Sequence, residues 1–184
     1  MNAELTELLA ACPACDEEVV TWAHQGRPLP LRVTTHLSTK LPPDAMITSV
    51  RAVVLRRNEL VVVRDPHGHH VLPGGRREPP DEPLEQALRR EILEETGLRI
   101  GPAEPIGFLC FQHLAARPEG YRYPHPHFAQ AVFAARTDDV KPSPREGGEF
   151  ELDVFFRPAD ALDELKLSQR DRALLRETLR VLRS

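Results

Sequence analysis

GGRREPPDEPLEQALRREILEETGL, residues 74–98, is the stretch around which the rest of the chain is read. Pro83 suits a first helical position, where its missing N–H is an orphan in any case, and Gly97 suits the left-handed residue that ends a helix. The spacing predicts a helix over 83–96. At about 100° per residue, one stripe along it runs through Leu84, Ala87 and Leu88 and then through Glu91, Glu94 and Glu95. Three carboxylates on the docking side of a helix repel one another and lose hydration, a state that ordinary packing does not stabilise. Either the face is solvated and laced with intrahelical pairs, or something positive lies against it. Arg90 offsets one charge, and a divalent cation with oxygen ligands offsets more. Upstream, Pro73, Gly74 and Gly75 form a side-chain-poor turn whose backbone can approach a phosphate or offer a carbonyl to a metal.

The segment resembles the signature of the Nudix hydrolases, enzymes acting on nucleoside diphosphates linked to another moiety. That signature runs Gly, five residues, Glu, seven residues, Arg-Glu, an apolar residue, any residue, Glu-Glu, any residue, Gly and an apolar residue. Arg90, Glu91, Ile92, Glu94, Glu95, Gly97 and Leu98 all match, and Glu82 stands seven residues before Arg90. The departure lies upstream, where six residues separate Gly75 from Glu82. Glu78 keeps its usual place three after Gly75, so the extra residue falls within 79–81.

The resemblance implies an α/β protein with the Nudix fold, an α/β/α sandwich around a mixed sheet. It implies a hydrolase that cleaves the pyrophosphate bond of a nucleoside diphosphate derivative by attack of a metal-activated water. Mg²⁺ or Mn²⁺, in more than one ion, is expected on Glu91, Glu94, Glu95 and the Gly74 carbonyl. Glu91 is also the expected base, oriented by Arg90, and Gly75 is expected against the substrate. In many such enzymes a later loop or strand supplies a further acid. Glu146, Glu149 and Glu151 are the candidates here, and Glu149 is favoured because it lies where loop becomes strand. Two alternatives stand beside this. One is a nucleoside triphosphate pyrophosphatase. The other is a non-catalytic nucleotide-sensing module, which would usually lose part of the Glu-Glu set that this chain keeps.

The 184 residues fit one domain with an added segment: an N-terminal helical extension over 1–45 and the Nudix domain over 46–184. A charged fraction of 28% and a hydrophobic fraction of 41% are those of a soluble globular protein. No apolar run approaches the roughly 20 residues of a membrane span, and the first residues lack the basic start of a signal peptide. The expected compartment is therefore the cytoplasm. A net charge of −4 argues against a protein that holds long nucleic acid, though not against a single nucleotide held through metal. Three cysteines fit reduced thiols better than a disulfide framework, and Cys12 and Cys15, a lone C-x-x-C, lack the second close pair of a zinc ribbon.

Asn2 suits an N-cap for a helix burying Leu5, Leu8 and Leu9, Pro13 is expected to restart the helix through Val19, Val20, Trp22 and Ala23, and Leu31, Val33, Thr35 and Leu37 alternate as a strand. This extension can pack on the main domain, form a homodimer contact or enlarge a substrate pocket. Strands are expected over 47–54, 60–63, 106–113, 128–136 and 149–156, followed by a helix from Gln169 capped by Ser168. Residues 115–127 form a long loop with both tyrosines, a usual place for ligand selection. Tyr121, Arg122 or Tyr123 is expected to contact the base or a phosphate, or else the prolines simply pin the loop to the surface.

Overall fold

The structure, a computed structural model, describes residues 2–66, 68–79, 81–142, 153–159 and 167–183. Its strands are β1 (Ala14–His24), β2 (Arg27–Leu37), β3 (Ile47–Arg56), β4 (Glu59–Asp65), β5 (Gly68–His70), β6 (Ala103–His113), β7 (His127–Arg136) and β8 (Asp153–Pro158). They form one mixed sheet in the order β1-β2-β6-β7-β3-β4-β5, with β8 also on β4. Among the described strands only β3 and β7 pair parallel. Such a pair needs a long crossover, and the connection from β3 to β7 carries the helix of the signature.

Among the described residues three helices complete the sandwich: α1 (Ala3–Ala11), α2 (Leu84–Thr96) and α3 (Gln169–Val181). On one face, Ala87, Leu88 and Ile92 of α2 pack with Val50, Ala52 and Val54 of β3 and Ala131 and Phe133 of β7. On that same side of the sheet, Leu5 of α1 packs on Phe108 and Cys110 of β6. The opposite face is closed by Leu174 and Leu175 of α3 over Leu31, Val33, Val53, Leu109 and Val132. Strand alternation divides β6 between the two cores, since neighbouring side chains point to opposite faces.

The helix ends follow the capping chemistry read from the sequence. The Asn2 side chain accepts the Glu4 N–H at 2.9 Å, and Ser168 accepts the Asp171 N–H at 3.1 Å. Gly97 ends α2 at φ 68°, where a side chain would be strained, and Pro83 stands as the residue before the helix rather than its first member.

The extension differs from expectation. Residues 14–24 are a strand and not a second helix: β1 and β2 form a hairpin turned at Gln25 and Gly26, both at positive φ. A two-residue turn with both central residues left-handed matches the twist of a hairpin. Strand β2 then pairs with β6 from Leu31–His113 to Leu37–Gly107, so the hairpin extends the sheet. His36 ties α1 to it: the Cys12 carbonyl must accept from Nδ1 at 2.7 Å, which leaves Nε2 to accept from the Thr34 hydroxyl at 2.9 Å. Cys12, Cys15 and Cys110 are free thiols.

Leu31 is fully buried on β2 among side chains of the main core. Leu31→Ala is expected to cost about 2–5 kcal/mol of unfolding free energy, read as a lower urea midpoint of one cooperative transition. A separate early transition that moves alone would instead mark the hairpin as an independent appendage.

Candidate active site

The signature loop is held to β3 as though it were a further strand. The Ala52 N–H donates to the Pro73 carbonyl, Val50 to Gly75, and Arg77 to Thr48, at 2.9 to 3.1 Å. Glycine is required twice in this run. A Cβ on Gly74, whose φ is 134°, would lie 2.2 Å from the Val50 carbonyl oxygen, and a Cβ on Gly75 would lie 2.0 Å from Glu91 Oε2. The close approach brings the acidic flank of α2 onto the loop, where the Gly74 N–H donates to Glu95 Oε2 at 2.6 Å.

The stripe on α2 is offset from the expected one. The buried line runs through Leu88, Ile92 and Thr96, while Glu91 and Glu95 lie beside it on the flank toward Gly74 and Gly75. Glu94 turns further out, its side chain 54% exposed. The apolar stripe therefore continues to the end of the helix, and the carboxylates line its edge.

Arg90 organises these acids. Its Nε and Nη2 take Glu82 in a bidentate pair at 3.1 and 2.9 Å, Nη1 donates to Glu91 Oε1 at 2.7 Å and to Glu94 Oε2 at 3.3 Å, and Nη2 also reaches the Arg76 carbonyl at 2.9 Å. Glu82 is buried, and its Oε2 also accepts the Glu78 N–H at 3.0 Å. The six-residue spacing thus leaves Glu82 paired with Arg90. The Arg90 hydrogen bonds hold the Glu82 carboxyl below its ordinary value, and in turn hold the guanidinium charged. Glu91 shifts the other way: burial pushes its carboxyl up, against the opposing pull of Arg90.

A second arginine was not anticipated. Arg77 is buried, donates through Nε to the Glu82 carbonyl at 2.8 Å, and pairs with Asp44 at 3.1 Å in the 3-10 turn Asp44–Met46. It staples the loop to the start of β3 while Arg90 staples it to α2. Both arginines sit in a basic and acidic run whose residue types look solvated, and only their burial separates them from surface charges.

Two cavities flank the loop. The smaller, about 370 Å³, lies on the Leu72 side, with Trp22, Phe111, Arg51 and Gln130 in its wall. Trp22 packs 5.1 Å from Phe111 between ring centroids, yet it remains 42% exposed. The larger, about 1050 Å³, lies on the Arg76 side, with Glu78, Arg117, Arg122 and Tyr123 in its wall. Arg122 and Tyr123 thus face a cavity beside the signature loop, whereas Tyr121 is turned into the core against His24 and His113. Among the described residues no three His, Cys, Asp or Glu side chains converge as a metal cage. Glu149, with Glu146 and Glu151, lies outside the described residues.

A family profile described as NUDIX domain matches residues 46–178. The chain belongs to the Nudix hydrolase family. A comparison with curated proteins finds no match. Among solved structures, the pyrophosphohydrolase BsRppH of Bacillus subtilis, in a mutant form, is 18% identical with a TM-score of 0.57, covering 89% of this chain and 96% of that one. A NUDIX-family hydrolase from Clostridium perfringens is 17% identical with a TM-score of 0.52, over 73% and 96% of the two chains. The NUDIX domain of NrtR from Shewanella oneidensis, complexed with ADP ribose, is 19% identical with a TM-score of 0.51, over 78% and 94%. At these identities the likeness is one of fold. Among the described residues no helix is long and apolar enough to cross a membrane.

Two outcomes follow from this geometry. Gly75→Ala is expected to displace the Glu91 carboxylate and reduce hydrolysis far more than it lowers the urea midpoint; equal turnover in the variant would show that the close contact is dispensable. His113, buried with both ring nitrogens lacking a hydrogen-bond partner among the described residues, has its pKa pushed down to about 4, chiefly by burial and then by His125 and His127. The unfolded chain, with a histidine pKa of about 6.5, binds the proton more readily, so stability falls as pH drops from about 6.5 to about 4. His113→Phe is expected to reduce that fall, measured as urea midpoints at either end of the window.

Proposed function

We propose that this protein is a divalent-metal-dependent hydrolase that cleaves the pyrophosphate bond of a nucleoside diphosphate derivative. The observation that carries the reading is a cavity at Leu72, where the loop begins, and another at Arg76 and Arg77, where it ends, with Glu91 and Glu95 against the glycines between. A pyrophosphate laid across the loop would send one moiety into each. The nucleoside goes to the smaller cavity, where the half-exposed Trp22 and Phe111 offer aromatic surface. Both volumes are of the order of known ligand pockets, about 300–1,000 Å³.

The donor chemistry fits a hard cation. Carboxylates and a carbonyl are the oxygen ligands such ions take, and the loop brings Glu95 and Glu91 onto Gly74 and Gly75. Glu91, Glu94, Glu95 and the Gly74 carbonyl would hold Mg²⁺ or Mn²⁺, competing with Arg90 for two of those acids. When bound, the ion supplies charge neutralisation at phosphate oxygens and a more acidic water. Arg90 grips Glu91 through Oε1 and leaves Oε2, the atom against Gly75, to take a proton from the attacking water. Glu149 is the proposed further acid. Gly75 admits the phosphates to the backbone, Arg122 and Tyr123 face the second moiety, and Tyr121 supports them from the core. Free thiols suit a cytoplasmic setting.

A nucleoside triphosphate would leave the larger cavity unfilled, which favours the diphosphate derivative. The retained Glu94 and Glu95 favour an enzyme over a sensing module.

Purified protein with Mg²⁺ or Mn²⁺ is expected to release nucleoside monophosphate from members of a panel of nucleoside diphosphate derivatives, and to lose activity with EDTA. Glu95→Gln is expected to cut turnover about a hundredfold or more, about 2.7 kcal/mol of transition-state stabilisation. Near-normal hydrolysis by that variant would refute the ligand assignment.

A further inference from the structure

We propose that the larger cavity is a phosphate-binding specificity pocket, in which Arg76, Arg117 and Arg122 select substrates whose second moiety carries a phosphate of its own. The inference rests on the reading above for the position of the scissile bond, and adds what lies beyond it.

Charge is the first argument. The cavity wall holds Arg76, Arg117 and Arg122 against the carboxylate of Glu78, and its remaining arginine, Arg77, is neutralised by Asp44. Two positive charges are thus left over in a protein whose formal net charge is −4. None of the three arginines makes an ion pair with another described residue, although ion pairs are frequent elsewhere on the molecule. A phosphate monoester carries about −1.5 to −2 near neutral pH and so matches this excess. A single carboxylate would offset about half of it, and a neutral sugar none.

Orientation is the second. Two of the three arginines are held, and from two directions. Arg117 donates through Nη2 to the Tyr121 carbonyl at 2.9 Å, fixing it to the loop after β6. Arg76 lies over the Tyr123 ring, 5.3 Å from guanidinium carbon to centroid, and its carbonyl accepts from Arg90. Guanidinium groups meet phosphate oxygens through paired N–H bonds, which suits a fixed cluster better than a single point charge would. The hairpin tip adds His24, in the cavity wall, whose buried Nε2 has no hydrogen-bond partner among the described residues.

Position is the third. Arg76 follows Gly75 directly, and Glu78, in the same wall, is near enough to Glu91 to raise its pKa. The pocket therefore begins one residue beyond Gly75, beside the acidic flank. A moiety leaving the scissile phosphate on the Arg76 side enters it at once.

The test uses matched pairs in the adenine and uracil series: a nucleoside diphosphate ribose, and the same compound with a phosphate monoester on its distal ribose. Dissociation constants are measured calorimetrically in EDTA, where neither compound is turned over, and kcat/KM is measured with Mg²⁺. The phosphorylated member is expected to bind about tenfold more tightly or better, about 1.4 kcal/mol, and to lose that advantage as salt is raised. Arg122→Ala, which removes no hydrogen bond or ion pair among the described residues, and Arg117→Gln, which keeps a donor toward the Tyr121 carbonyl, are each expected to bring the ratio of the two constants toward one. Equal binding of both members in both series, or a ratio that neither variant changes, overturns the proposal. If the binding preference and its loss in the variants appear without hydrolysis of any compound, the pocket stands as an anion site and the hydrolase reading falls.

Discussion

The Arg90 guanidinium is the one charge on which the signature region depends. Glu82 is buried, and a buried carboxylate is tolerated only when paired and hydrogen-bonded. Arg90 meets that need with two parallel N–H bonds and still has donors for Glu91, Glu94 and the Arg76 carbonyl. Because Arg90 is fixed on α2 and Glu82 on the incoming loop, the pair sets the distance between the two. Arg77, pairing with Asp44 and capping the Glu82 carbonyl, sets the distance between the loop and β3. The glycines then lie where only glycine fits, between the Val50 carbonyl and the Glu91 carboxylate.

What the sequence reveals of this follows from how local each signal is. Helix α2 could be bounded from Pro83 and Gly97, and α3 from Ser168 and Asp171, because caps act over one turn. Strands β3, β6 and β7 are buried on both faces by α1 or α2 and by α3, so their apolar runs are long. Strand β1 has neither property. It is the outermost strand, with Val19 64% exposed, and its mixture of acids and β-branched residues shows no clean alternation. The useful signal was its turn. Gln25 and Gly26 both adopt positive φ, and a residue pair ending in glycine between two runs of Val, Thr and Leu is a hairpin cue that outweighs the helical spacing of Val19, Trp22 and Ala23.

The acidic flank was legible for the same reason, since Glu91, Glu94 and Glu95 share one helix. Their exact facing was not. Whether the stripe turns acidic or runs on through Ile92 and Thr96 depends on the roll of α2 against β3, where Ala87, Leu88 and Ile92 pack on Val50, Ala52 and Val54 and Arg90 ties the helix to the loop. The cavities were less legible still. Trp22 and His24 come from the hairpin, Arg76 from the signature, and Arg117 and Arg122 from the loop after β6, and only the β2–β6 pairing places the hairpin tip beside that loop. The extension had three open roles when read as a sequence. In the fold it extends the sheet and walls both cavities, so packing and pocket formation are one event.

A polyphosphate approaching this molecule meets opposite charges on the two sides of a short stretch of backbone. The flank of α2 presents carboxylates in excess of Arg90, and alone it repels the ligand. The wall beyond Arg76 presents guanidinium groups in excess of Glu78, and attracts it. Arg76 joins the two, its carbonyl bound to Arg90 and its side chain over Tyr123. Attraction at one end and repulsion at the other would orient a linear anion along the loop before any specific contact forms, within the roughly 8 Å beyond which physiological salt screens exposed charges. Binding of a cation at the acidic end would remove the repulsion that remains. The two halves of the site therefore have separable tasks. On the proposed reading the arginine wall would set which anion is held and in which direction, and the helix flank would set whether the bond lying between them is placed under positive charge.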